Sequence, residues 1–371
     1  MLLGLAIAAA LGTAAPPTPS PTPSPVPAFS VDGAFALAST HTSGINAAGA
    51  LDTPTGSDLA DRSDLSDALL VLSKNTGTLR ASVTVGAYSF PTVGLALDPT
   101  TQPGANSSLF GFVPLVTLAY VPNAHLTISA GKQATLLGQE SVFTYQNWNV
   151  ERGLGFALEP TMSRGVRVAY TQRRFTGDLE INDGYYSGNA GRAIEGSIGW
   201  APSANTDLQL AFIAPSRDTP GNATTAVANK AEVDAMLTRQ IGKLALAPYV
   251  LFVHSPASAR LGYTRGEDAA AVAILAKYAF DPTYALAARY ESAADGSVAS
   301  DASPNADLLG FGAGSRASTW TITPSYAPGP LFARAEYDLA HVRGFSPGLA
   351  FGAQGTSSTQ RRFLVELGVQ F

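Results

Sequence analysis

The chain has 371 residues, of which 46% are hydrophobic and only 14% charged, with a net charge of −5 at pH 7 and no cysteine. That balance excludes a basic nucleic-acid surface, and with it disulfides, thiolate metal sites and cysteine nucleophiles. After the first few residues no stretch approaches the roughly 20 consecutive apolar residues that a membrane helix requires.

The opening "MLLGLAIAAALGTAA", residues 1–15, is a short apolar run ending in small residues and reads as the core of a secretory signal, with cleavage near Ala14 or Ala15. The usual basic n-region is missing from it. Residues 16–28, "PPTPSPTPSPVPA", form a Pro-rich tether that cannot continue a helix. The folded part is expected over 29–371.

From Phe29 onward, segments of about ten residues alternate apolar with polar or small, the period of a strand with one apolar face. "FSVDGAFALAST" puts Val31, Phe35 and Leu37 on one face, and "TLRASVTVGAYS" sets Leu79, Ala81, Val83 and Val85 against Arg80, Ser82 and Thr84. Further on, "GVRVAYTQ" sets Val166, Val168 and Tyr170 against Arg167, and "AIEGSIGW" sets Ile194, Ile198 and Trp200 against Glu195 and Ser197. "KLALAPYVLFVHS" is apolar on both faces, which leaves its inward side open, and Pro114 and Pro248 interrupt strands. "STWTITPSY" sets Trp320, Ile322 and Tyr326 against Thr321 and Thr323, while "LFARAEYDLA" sets Tyr337 and Leu339 against Arg334, Glu336 and Asp338. The final "RRFLVELGVQF" alternates Phe363, Val365, Leu367, Val369 and Phe371 with Arg362, Leu364, Glu366 and Gln370.

The connections alternate in length. Short ones fall at 74–78, 121–124, 173–177, 202–206, 241–243, 281–284 and 328–330, with long polar ones near 43–66, 91–111, 133–163, 183–192, 214–229, 255–267, 292–317 and 341–360. Aromatics (Tyr120, Tyr170, Trp200, Tyr278, Phe280, Tyr284, Tyr326) gather beside the short turns. Brief turns on one side, long loops on the other and an aromatic girdle are the marks of a transmembrane barrel. The expected fold is an all-β, antiparallel up-and-down barrel of about sixteen strands, with short periplasmic turns and long extracellular loops. Only closure satisfies every backbone group in hydrocarbon, so the last strand must complete the ring against the first. A soluble sandwich or propeller also alternates, but its second face would be a dense aliphatic core. Here that face carries Arg, Glu, Asp, Ser and Thr, which suits water.

One block rises above pattern. "GKQATLLGQESVFTYQNWNVERGLGFALEPTMSRGVRVAY", residues 131–170, resembles the OmpL-like beta-barrel porin-2 family at Gly131, Lys132, Glu140, Asn147, Asn149, Arg152, Pro160, Gly165, Val166 and Arg167. Phe371 is similar to the terminal signal that outer-membrane assembly machinery reads in such barrels. The resemblance implies a channel in the outer membrane of a Gram-negative bacterium for passive diffusion of small hydrophilic solutes or ions. It does not identify a solute. Membrane lipid would be its other partner; porins of this size are often homotrimers.

A barrel of about sixteen strands leaves an aqueous lumen, whose selectivity comes from wall charges and from whatever narrows it. The inward cations expected from the alternation are Arg80, Arg167, Arg289, Arg334 and Arg362; the anions are Glu180, Glu195, Glu232, Asp234, Glu291, Glu336 and Glu366. Many of these could equally pair across strands and stabilise the wall. The acidic excess favours cations. By architectural analogy, the third long loop, 133–163, folds inward as a constriction, with Lys132 at its base and Glu140, Tyr145, Trp148, Glu151 and Arg152 as contributors.

No enzyme, metal site or cofactor is expected. His41, His125, His254 and His341 stand isolated, without HExxH or other metal spacing, and no nucleophile elbow or phosphate loop occurs. His341 would be the best candidate for a hydrolase at the barrel rim. The competing reading from another class is a structural or adhesion barrel with a closed lumen.

Overall fold

The computed structural model describes residues 27–46, 58–97, 100, 110–186, 193–215 and 230–371. The signal and most of the Pro-rich tether lie outside the described residues, as do parts of the long connections.

Sixteen antiparallel strands form one closed barrel in which each pairs with its sequence neighbours and the last pairs with the first. They are β1 Phe29–Ser43, β2 Asp61–Lys74, β3 Leu79–Tyr88, β4 Leu115–Tyr120, β5 Leu126–Ala134, β6 Met162–Gln172, β7 Phe175–Asn182 and β8 Ala193–Ser203. The ring continues with β9 Thr206–Pro215, β10 Ala231–Ile241, β11 Leu244–Ser255, β12 Glu267–Ala279, β13 Tyr284–Asp295, β14 Arg316–Tyr326, β15 Leu331–Arg343 and β16 Thr359–Gln370. The expected short and long connections alternate around the ring as the sequence placed them, although strands run into several of them: β2 starts at Asp61 inside 43–66, and β7 at Phe175 inside 173–177.

Closure runs from Ala34 opposite Gln370 to Ser43 opposite Arg361. Beyond the ladder, Gly33 N–H donates to the Phe371 carbonyl at 2.9 Å and Phe371 N–H donates back to the Gly33 carbonyl at 3.1 Å. A Cβ at Gly33 would stand 2.3 Å from the Leu69 carbonyl oxygen of β2, so only glycine lets β1 and β2 approach this closely beside the seam.

The outward face is predominantly apolar: Val31, Leu118, Val168, Leu210, Phe252, Ile274, Ile322 and Leu367 are all exposed to the surroundings of the barrel. In water such a surface would be prohibitively costly; in hydrocarbon it is the required one. Tyr120, Tyr170, Trp200, Tyr278, Phe280, Tyr284 and Tyr326 are likewise outward and exposed. They form a girdle at the short-turn end, with Tyr284 and Tyr326 at 4.9 Å between ring centroids.

Proline is accommodated at the cost of local pairing. Pro114 precedes β4, while Pro248 lies inside β11, still opposite Ile274 of β12. On the other side, the β10–β11 ladder skips from Met236–Tyr249 to Arg239–Leu246, because Pro248 has no N–H to give.

The interior departs from the expected hydrated wall. On β11 and β12 the inward residues are Ala247, Tyr249, Leu251 and Val253, and Ala269, Ala271, Ala273 and Leu275. All are buried, in one cluster with Leu137, Leu154 and Leu158 of the third long connection. This patch of wall faces packed loop rather than water, which is why its sequence is apolar on both sides.

Candidate functional site

Residues 135–161, between β5 and β6, have no run of alternation and no helix beyond two short 3-10 turns, Thr144–Gln146 and Gly155–Ala157. Such a segment leaves most of its backbone N–H groups without internal partners, and each must find an acceptor. It finds them on the barrel wall, in carboxylates that the strand period points inward.

Glu336 of β15 accepts two successive amides, Val150 N–H at 2.6 Å and Glu151 N–H at 2.7 Å. Glu291 of β13 does the same for Leu154 and Gly155, at 2.5 and 2.7 Å. Asp234 of β10 accepts Gly138 N–H at 2.7 Å, Glu195 of β8 accepts Leu136 N–H at 2.5 Å, and Asp67 of β2 accepts Tyr145 N–H at 3.0 Å. These acceptors stand on strands far apart around the ring, so the segment crosses the lumen instead of lying along one side. Glycine makes the close approach possible: a Cβ on Gly153 would lie 2.7 Å from the Glu291 carboxylate, and one on Gly155 within 2.9 Å of Leu251 and the Tyr249 hydroxyl.

Two ion pairs tie the same segment to the wall. Arg289 reaches Glu140 at 2.6 Å, with side chains 0% and 2% exposed, and Arg362 reaches Glu151 at 2.5 Å, with 1% and 0%. Arg289 also donates to the Glu151 carbonyl at 2.6 Å. Arg334 holds Glu366 through Nε at 2.6 Å and donates to the carbonyls of Asn147 and Thr144 at 2.9 and 3.1 Å. Asn149 Nδ2 donates to Thr323 Oγ1, which donates in turn to Glu336, both at 2.6 Å.

The inward charged residues are therefore where the alternation put them, but they meet protein groups. Glu180, Glu195, Glu232, Asp234, Arg289, Glu291, Glu336, Arg362 and Glu366 are buried to within about 1%. Arg167 bridges to Glu180 at 2.6 Å across β6 and β7. Arg80 sits inward near the short turns, half-exposed, with Nε donating to the Gly77 carbonyl. Lys132 is a correction. It shares the face of Ile128 and Ala130, opposite Arg164, which is the outward one. Its ammonium is capped by the Phe110 carbonyl and the Tyr186 hydroxyl instead of lining the lumen. Strand β5 runs on to Ala134, so the period of two still governs residue 132.

Within the segment, Arg152 is a staple. It donates to the Ser141 carbonyl at 3.2 Å and to that of Val142, and its guanidinium lies 5.4 and 5.0 Å from the rings of Phe90 and Phe156. Burial pulls its pKa down to about 10, against the nearby charges of Asp67 and Glu140. Burial also raises the Tyr145 hydroxyl to about 12. The second long connection supports this arrangement: Val93 N–H donates to the Arg152 carbonyl at 2.9 Å, and Arg152 N–H to that of Pro91 at 2.8 Å. Trp148 is half-buried against the apolar cluster.

The histidines are not all isolated. His41 Nδ1 lies 2.7 Å from Asp61 and His254 Nδ1 2.7 Å from Asp268, both pairs outward at the long-loop end. These partners are distant in sequence and meet only through register. His341 contacts Thr359 at 3.3 Å, and His125 the Thr171 carbonyl at 2.8 Å near the short turns.

The family model described as "Putative beta-barrel porin-2, OmpL-like" matches residues 30–371. No curated protein matches the chain. Among solved structures, the chain is similar to an anion-selective porin from Comamonas acidovorans, with TM-score 0.60 and 12% identity over 92% of this chain and 99% of that one. It is also similar to the trimer form of OmpT, an outer membrane protein of Vibrio cholerae, with TM-score 0.57 and 12% identity over 93% of this chain and 100% of that one. At such identity the likeness concerns the fold.

Proposed function

Because the chain belongs to the OmpL-like beta-barrel porin-2 family and is an outer-membrane barrel, we propose that it is a diffusion channel for small hydrophilic solutes or ions, narrowed by residues 135–161. The observation that carries the reading is the double-amide seating of this segment on Glu336 and Glu291, which fixes peptide across the lumen. A porin needs no catalysis, only a passage whose width and charge are set by fixed groups.

Charge pairing limits selectivity. Arg167, Arg289, Arg334 and Arg362 each hold a carboxylate, and the acidic excess of the whole chain favours a weak preference for cations. Planar-bilayer recording of purified protein under a salt gradient tests this through the reversal potential. Deleting 139–152 removes Glu140 and Glu151 and frees Arg289 and Arg362. Conductance should rise and selectivity move toward anions; unchanged conductance and selectivity would refute the constriction.

The burial of the inward charges supports a second reading, a barrel sealed by its loops and serving as a structural or adhesive element. Liposome swelling with sugars of graded size separates the two, since a sealed barrel admits none. The trimer form of the Vibrio protein supports a homotrimer here, which cross-linking in outer membranes would test.

A further inference from the structure

Most carboxylates that meet the inward segment are answered by an arginine, a backbone amide or a hydroxyl. One group is not. Glu159, near the end of the segment, lies with Glu232 and Asp234 of β10 so that one oxygen of each falls within 4.8 Å of the others. All three side chains are buried. Both oxygens of Glu159, Oε1 of Glu232 and Oδ1 of Asp234 receive no hydrogen bond from any N–H or hydroxyl, and the Glu232 and Asp234 carboxyls lie close enough to share a proton. No ion pair among the described residues involves any of the three. The remaining oxygens are occupied in ways that aim the free ones: Glu232 Oε2 accepts the Tyr185 hydroxyl at 2.7 Å, and Asp234 Oδ2 accepts Gly138 N–H at 2.7 Å. Lys230 adds one positive charge that partly compensates Glu232; its ammonium donates to the Leu158 carbonyl at 3.0 Å and lies 4.5 Å from the centroid of the Tyr185 ring.

Three buried carboxylates beside a single ammonium are costly unless something neutralises the excess charge. We propose that Glu159, Glu232 and Asp234 form a site for a hard divalent cation, calcium being the best match, which clamps the end of the inward segment to β10. An ion that takes oxygens at roughly 2.3–2.6 Å holds any two of them no farther apart than about 5 Å, so the observed spacing needs little rearrangement. One oxygen from each of the three carboxylates gives a partial shell, and calcium fills the rest of its six to eight positions with water or carbonyl oxygen. Nitrogen and sulfur ligands are absent from the trio, which disfavours zinc and copper. A second acidic trio, Glu151, Glu336 and Asp338, is better compensated: Arg362 pairs with Glu151, two backbone amides bind Glu336 and Thr321 donates to Asp338, leaving only Glu151 Oε2 and Asp338 Oδ2 over.

The inference rests on the position of the inward segment and not on conduction, so a sealed barrel would leave it standing. The test uses the full chain, refolded in detergent and stripped of metal. Calcium is titrated by calorimetry, with terbium luminescence sensitised by nearby tyrosines as a second readout. One saturable ion per chain is expected, with Glu159→Gln and Glu232→Gln each weakening binding at least about tenfold and Asp338→Asn leaving it unchanged. Glu159→Gln removes an unpaired charge and should keep the heat-resistant migration of a folded barrel, which is checked in parallel. Absence of saturable binding at millimolar calcium, or equal affinity in Glu159→Gln and the parent, overturns the proposal. In the first case the carboxylates are neutralised by protons; in the second the ion sits elsewhere.

Discussion

Replacing Arg289 by Met tests whether charge holds the segment inside the barrel. Arg289 and Glu140 are nearly free of solvent and 2.6 Å apart. Removing one partner of such a buried pair costs about 3–5 kcal/mol, because the other charge stays stranded. Glu140 belongs to the segment and can reach water only if the segment lifts, so the cost falls on the docked state. At about 1.4 kcal/mol per tenfold, the undocked population should grow by roughly two to three and a half orders of magnitude. Trypsin reports this population directly. Arg152 is the sole Lys or Arg within 135–161, and it is fully buried. When opening is fast relative to cleavage, the rate of cutting follows the open fraction. Cleavage after Arg152 should therefore accelerate at least about a hundredfold in Arg289→Met, and adding Glu140→Gln should recover part of the loss through a coupling of about 1 kcal/mol or more. An unchanged rate at Arg152, or a double variant as labile as the sum of the singles, would refute the argument.

Other expectations use the same readouts. Glu336→Ala leaves Val150 and Glu151 N–H without their acceptor; at about 1.5–3 kcal/mol per hydrogen bond to a charged group, tryptic cleavage at Arg152 and open-channel noise should both increase at least tenfold. Gly155→Val drives a side chain into Leu251, the Tyr249 hydroxyl and Glu291, and should undock the segment without preventing barrel formation, seen as rapid cleavage with intact heat-resistant migration. Gly33→Val places a side chain 2.3 Å from the Leu69 carbonyl of β2, beside the closing seam, and should abolish the folded band; equal folded yield would show that β1 is not sterically limited there.

The strand period made the barrel legible. Arg362, Glu366, Arg334 and Glu336 could be placed inward because their neighbours Phe363, Leu367, Ala335 and Tyr337 could only face lipid. Loop lengths fixed the sense of the ring for the same reason. The contacts inside it were not legible, since the segment docks through backbone amides that every residue carries. Sequence could nominate Glu140 and Glu151, yet nothing in it says that Glu291 and Glu336 receive pairs of N–H groups. The inner face of β11 stayed open because alternation reports only polarity, and Leu251 and Val253, on a strand apolar on both faces, turn out to face packed loop. Lys132 fails differently: a strand that runs past the start of a polar loop carries its parity with it.

Carboxylates suit this kind of anchoring better than an apolar patch would. The wall is one strand thick, with lipid on its outer side, and it can offer the lumen only side chains. A loop inserted through hydrophobic contact alone could slide, because burial is non-directional. A carboxylate that accepts two successive amides fixes both position and peptide orientation, and its charge makes each bond stronger than a neutral one. The barrel ladder holds Glu291 and Glu336 rigidly, so both seats are preorganised before the segment arrives. The apolar contacts of Leu154 and Leu158 with Leu251 then add burial to a geometry already chosen. Loss of a leucine should thus loosen the segment in place, whereas loss of a carboxylate should release it.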